Sequence, residues 1–201
     1  MRLHYFVLID MPPWKIHIYW CKKLGIHEDI ANEVNLLIDF PRQWIREKLS
    51  LTEEEIKKGW RIGSEKSEYI SCRENLIQIL VLEREKALQD SIKLGHDFGR
   101  RRKWQIDILL ICAYEYYGIQ GVKAAILHHI LDYIEGIAEK CPRDLILHKI
   151  ENKFNWLTHP PSPKRTSKKY YEFSLLVSEL ASDVLSFVKK NLDDILVKLK
   201  C

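Results

Sequence analysis

The chain has 201 residues, 46% of them apolar and 30% charged, with a formal net charge of +4. That length is enough to bury one core, and the composition excludes a disordered or collagen-like chain. So small a charge permits a phosphate-rich partner without demanding one, and no run approaches the roughly 18 apolar residues of a membrane span.

In chain order, Met1 to Asp10 is the one segment whose pattern allows a strand. Its apolar stretch is too short for a secretory core, and Pro12-Pro13-Trp14 follows in place of small cleavage-site residues. Asp10 can cap a first helix that starts at Pro12 or Pro13 and ends at Gly25. A second spans about Glu28 to Asp39, and Pro41 opens a third that reaches Leu49. Thr52-Glu53-Glu54-Glu55 is a capping-box pattern for a short fourth, and Ser64 or Ser67 starts a long fifth ending near Leu94. Arg101 to Tyr117 reads as a sixth helix closed by Gly118, Gln120 to Lys140 as a seventh, and Pro142 starts an eighth toward Trp156. His159-Pro160-Pro161-Ser162-Pro163-Lys164-Arg165 opens a polar, proline-rich linker. Beyond it Phe173, Leu176, Val177, Leu180, Val184, Val188, Leu192 and Ile195 recur at three and four residues, the mark of an amphipathic helix.

The expected fold is therefore all-α, a multi-helix orthogonal bundle over residues 1–158. A basic linker follows at 159–169, then a long C-terminal amphipathic helix at 170–201. That helix carries more apolar surface than a lone helix can hide, so it either docks on the core or packs against another chain as a homo-oligomer contact. The five cysteines, Cys21, Cys72, Cys112, Cys141 and Cys201, are odd in number and form no CxxC pair. Their spacing argues against a disulfide framework or a thiolate zinc site and for a reducing, cytoplasmic setting. Abundant Lys, Glu, Arg and Ile beside scarce Gln is thermophile-like usage. The six tryptophans are core or interface anchors.

Trp20 to Phe40 and Ala113 to Tyr133 align without a gap. Gly25-Ile26 matches Gly118-Ile119, Ala31 matches Ala124, Asp39 matches Asp132, and Val34, Leu37 and Ile38 match Leu127, Ile130 and Leu131. Each copy reads as helix, Gly-Ile turn, helix. Either a hairpin has been duplicated or two hairpins share a glycine cap by coincidence.

The stretch with the most specific chemistry is Leu94-Gly95-His96-Asp97-Phe98-Gly99-Arg100, followed by His128, His129 and Asp132. On a helix His128 and Asp132 stand one turn apart, and of the two adjacent histidines the i,i+4 register selects His128 as the one facing Asp132. His96-Asp97-Phe98-Gly99-Arg100 resembles the His-Asp-apolar-Gly-Lys/Arg signature of the HD-domain metal-dependent phosphohydrolases. The resemblance spans residues 63–140. It implies an all-helical fold, with His96, Asp97 and Asp132 as ligands of a divalent ion (Mn, Mg, Fe, Ni, Co or Zn). It also implies His128 as a further ligand or catalytic acid/base, and Arg100 and Arg101 as phosphate contacts. The activity it implies is hydrolysis of a phosphoester, perhaps in a nucleotide. The pattern departs from the family in one respect: no histidine lies between His27 and His96 to serve as the first ligand. Either His27 reaches in from another hairpin, a carboxylate such as Glu65, Glu68 or Glu74 substitutes, or no metal binds.

Each residue also has a purely structural explanation. His96 and Asp97 suit a helix C-terminus before Gly99, and His128 and His129 suit core positions satisfied by Asp132 or a tyrosine hydroxyl. The basic runs Arg100-Arg101-Arg102-Lys103-Trp104 and Lys164-Arg165 to Tyr171 can meet phosphates and stack on bases. A helix-turn-helix at either Gly-Ile turn is disfavoured: the second helix would be acidic after Gly25-Ile26, through Glu28, Asp29 and Glu33, and would carry a single lysine between Gln120 and His128. Two classes of function follow: an HD-like phosphohydrolase acting on a phosphorylated small molecule, or a non-enzymatic helical homo-oligomer with nucleic acid as its partner. Neither involves a membrane.

Overall fold

The computed structural model describes residues 14–39, 44, 103–159 and 168–199. The segments expected as the strand at 1–10, the third to fifth helices and most of the linker lie outside the described residues. So do His96, Asp97, Arg100, Arg101, Glu65, Glu68 and Glu74. Among the described residues the fold is all-α, with five helices and no strand. They are α1 (Trp14–Lys23), α2 (Glu28–Asp39), α3 (Lys103–Ala138), α4 (Arg143–Phe154) and α5 (Lys168–Lys198), with a 3-10 turn over Asn155–Thr158.

The α1–α2 turn is closed by local backbone chemistry. Gly25 sits at φ 81°, Ile26 N–H donates to the Cys21 carbonyl at 2.9 Å, and Gly25 N–H donates to Lys22 at 3.1 Å. This pair of bonds is the Schellman arrangement, in which a left-handed glycine satisfies carbonyls that the helix end would orphan. Glu28 and Asp29 then place negative charge in the first turn of α2, where the helix dipole favours it.

The expected sixth and seventh helices are two limbs of α3, at 103–117 and 119–138, joined through one non-helical residue, Gly118, at φ 60° and ψ −149°. The break is a single glycine rather than a loop, so the two helices run on as one kinked element. The second limb is buried almost all round, from Val122 through Ile134. A helix of this kind must be surrounded, and α1, α2, α4 and α5 all pack on α3. Its neighbours supply Trp20, Val34, Leu37, Ile38, Ile146, Ile150 and Phe154 to the shared core. Trp44 is also fully buried, and its indole N–H donates to the Tyr117 hydroxyl at 2.9 Å.

Helix α5 turns Val177, Leu180, Ala181, Val184, Val188, Leu192 and Ile195 into that core. Each valine, leucine or isoleucine among them contributes about 1.5–3 kcal/mol of transfer free energy before ordering costs. Ser178 Oγ further ties the helix to the Thr158 carbonyl at 2.6 Å. Of the two places open to its apolar face, the chain's own core receives this stripe. The described cysteines do not form a disulfide framework, but one of them is bridged. Cys112 is disulfide-bonded, whereas Cys21 and Cys141 are free thiols. Bridging needs only that folding bring two sulfurs within reach, which spacing along the chain does not record. No helix among the described residues is long and apolar enough to cross a membrane.

Candidate metal centre

Where α1, α2 and the second limb of α3 meet, the apolar core gives way to five polar side chains. Helix α1 brings His17 inward on the stripe it shares with Trp20 and Cys21. Helix α2 brings Asn35 and, one turn later, Asp39. Helix α3 brings His128 and, one turn later, Asp132. His17, Asn35 and His128 are each 1% exposed, and the Asp132 side chain, at 19%, is the more open of the two carboxylates, Asp39 being at 3%.

His128 is the centre of this group. Its Nδ1 lies 2.8 Å from Asn35 Oδ1, and its Nε2 lies 3.2 Å from Asp132 Oδ2 and 3.4 Å from Asp39 Oδ1. His17 Nε2 approaches the other oxygen of the same carboxylate, Asp132 Oδ1, at 3.2 Å. The two imidazoles meet edge to face with centroids 4.3 Å apart. Trp14 Nε1 donates to Asp39 Oδ2 at 2.8 Å and holds that carboxylate against α1. Yet the Nε2 atoms of His17 and His128, and Nδ1 of His17, are buried without an aligned hydrogen bond. A buried polar atom left in this state is costly in a closed protein interior.

The electrostatics of the two rings diverge. Burial alone would depress His128, but Asp132 and then Asp39 more than offset it, and its pKa rises to about 9. His17 is lowered, by burial first and by the neighbouring His128 second, against the opposing pull of Asp132 and Asp39. One turn beyond Asp132, Glu135 is lifted by burial and by the Asp132 charge.

Such a set of donors suits a metal. His17, His128 and Asp132 each offer a ligand atom, all within 4.8 Å of one another. With metal–ligand bonds of about 2.1 Å, neighbouring ligands stand about 3.0–3.4 Å apart, which is the spacing both Nε2 atoms keep from the Asp132 oxygens. Two imidazoles and a carboxylate favour a first-row transition ion over calcium.

Of the residues singled out from the sequence, the structure brings together His128 and Asp132, in the i,i+4 register that faces His128 rather than His129 toward the carboxylate. His129 is buried beside it with ring centroids 5.5 Å apart. His27 does not reach the site. It is exposed at the start of α2, its Nδ1 3.4 Å from the backbone N–H of Asp29, and its own N–H donates to Gln120. The histidine that the first hairpin sends inward is His17, one turn before Cys21 on the buried stripe. Sequence reasoning missed it because the family pattern places a first histidine tens of residues before His96-Asp97, a window that passes over α1. Asn35 and Asp39 were missed as site residues too, although Asp39 was already legible as the counterpart of Asp132. No protein-family model, curated protein or solved structure matches the chain.

Proposed function

We propose that the chain binds one divalent transition-metal ion through His17, His128 and Asp132, with Asp39 beside it, and that the ion's bound water hydrolyses a phosphoester. The observation that carries this reading is the convergence of two imidazole Nε2 atoms on the two oxygens of one carboxylate, neither nitrogen satisfied by an aligned hydrogen bond. Three protein ligands leave a coordination position for water, and such an ion supplies hydroxide near neutral pH. The chain's own residues orient the ion and leave Asp132 as its most open side. The resemblance to HD-domain phosphohydrolases adds His96 and Asp97 as further ligands, Arg100 and Arg101 as phosphate contacts, and a phosphorylated small molecule such as a nucleotide as substrate.

The rival reading is a non-enzymatic helical protein whose polar junction is only a closed hydrogen-bond network. The bonds from His128 to Asn35 and from Trp14 to Asp39 favour it. Metal analysis of the purified full chain separates the two. The proposal expects about one tightly held Mn, Fe, Co, Ni or Zn ion per chain and hydrolysis of bis(p-nitrophenyl) phosphate. Both are lost in Asp132→Ala and retained in His27→Ala. A chain that keeps no ion after loading and desalting, or an Asp132→Ala variant that keeps it, leaves the network reading.

A further inference from the structure

Both contacts that join the two hairpins at matched positions link residues 93 apart: His27 N–H to Gln120 Oε1, and Asn35 Oδ1 to His128 Nδ1. The same offset carries Asp39 onto Asp132. Asn35 is therefore the first hairpin's counterpart of His128, and the two meet where the hairpins face one another. What the first hairpin lacks in an imidazole it replaces with a group that grips the imidazole of the second.

We infer that Asn35 is the positioning residue that commits His128 to present Nε2 to the ion; the inference rests on metal binding by His17, His128 and Asp132. An amide oxygen only accepts, so a ring nitrogen 2.8 Å from Asn35 Oδ1 must carry hydrogen. With the proton on Nδ1, the Nε2 lone pair points at Asp132 Oδ2 and Asp39 Oδ1, at 3.2 and 3.4 Å. An ion taking the place of the Nε2 proton would meet that lone pair and the Asp132 carboxylate together. Were the proton on Nε2 instead, that nitrogen would donate to a carboxylate and the ring would be lost as a ligand. A partner on the far nitrogen fixes both tautomer and ring orientation, and removing such a partner weakens metal affinity by roughly 10–100-fold. Asn35, 1% exposed on the rigid helix α2, holds that partner in one place.

The test uses the full chain loaded with Zn. Histidine ¹⁵N spectra of the wild type are expected to show His128 protonated at Nδ1 and bound through Nε2. Zn affinity is expected to fall by roughly tenfold or more in Asn35→Leu, which keeps the branched shape and loses the acceptor, and to be preserved in Asn35→Asp, which keeps the acceptor. Circular dichroism confirms that each variant remains helical. The inference is overturned by Zn on Nδ1, by an Asn35→Leu variant that binds like the wild type, or by an Asn35→Asp variant as weak as Asn35→Leu. Should Asn35→Leu not fold, the wild-type spectrum alone decides. A wild type that binds no Zn removes the metal reading itself. Zn bound equally with and without the acceptor removes only the role of Asn35.

Discussion

The hairpin of α1 and α2 and the two limbs of α3 share a backbone plan and part ways in chemistry. Their apolar registers match: Ala31 and Ala124, Val34 and Leu127, Leu37 and Ile130, Ile38 and Leu131 are all at most 1% exposed. Their turns do not. Ile26 follows Gly25 into the core at 3% exposure, whereas Ile119 follows Gly118 into solvent at 51%. Their polar pairs differ too, Asn35 with Asp39 on one side and His128 with Asp132 on the other. The comparison teaches that packing repeats where both copies face the same core, and that chemistry is free to differ at the junction between them.

The largest effects test the shared packing. Leu37→Ala and Ile130→Ala each empty a fully buried site, and each is expected to destabilise the chain by about 2–5 kcal/mol. Urea unfolding monitored by circular dichroism measures both. A loss below about 1 kcal/mol at either site breaks the equivalence, because a matched core position cannot be indifferent to a cavity.

Smaller effects sharpen the difference between the turns. A Cβ at Gly25 or Gly118 meets no atom within 4 Å, so substitution there probes backbone conformation alone. Gly118, at φ 60° and ψ −149°, lies in a region essentially reserved for glycine. Gly118→Ala is expected to cost about 2–3 kcal/mol. Gly25 caps a helix in the left-handed region, where alanine costs about 1 kcal/mol. Equal losses in thermal unfolding would mean that the two turns are mechanically alike after all.

Much of this architecture was legible. Periodicity and punctuation place α2 at its observed bounds, find Gly118 as a break, and give α5 its buried stripe, because helix faces are written at three- and four-residue spacing. The register of His128 and Asp132 follows from the same arithmetic. What the sequence does not display is which distant helix supplies the partners. His17, Asn35 and Asp39 come from another hairpin, and their approach to His128 is set by how that hairpin packs. The pattern that drew attention to His96 and Asp97 pointed away from α1. The Cys112 bridge was hidden for the same reason: spatial nearness leaves no trace in spacing.

The pH dependence separates the polar pairs themselves. Asn35 does not titrate and His128 does, so the metal-free chain should carry a pH dependence that belongs to the second hairpin. His128 is raised to about 9. The folded state thus holds a proton that the unfolded chain has released above its ordinary value of about 6.5. Its contribution is full below about 6.5, declines as pH rises, and is gone above the folded value near 9. His17 is lowered, which has the opposite sign: below about 6.5 the unfolded chain binds a proton that the folded state resists, so stability falls toward acid. With chelator present, stability from this pair should therefore peak near neutrality and decline on both sides. His128→Asn should flatten the alkaline limb while leaving the acid limb to His17. Removing His128 also removes the neighbour that helps to lower His17, so the acid limb should shrink somewhat in that variant without disappearing. Urea midpoints measured from pH 5 to 10 decide the matter, since an alkaline decline unchanged in His128→Asn would assign the titration to a group elsewhere.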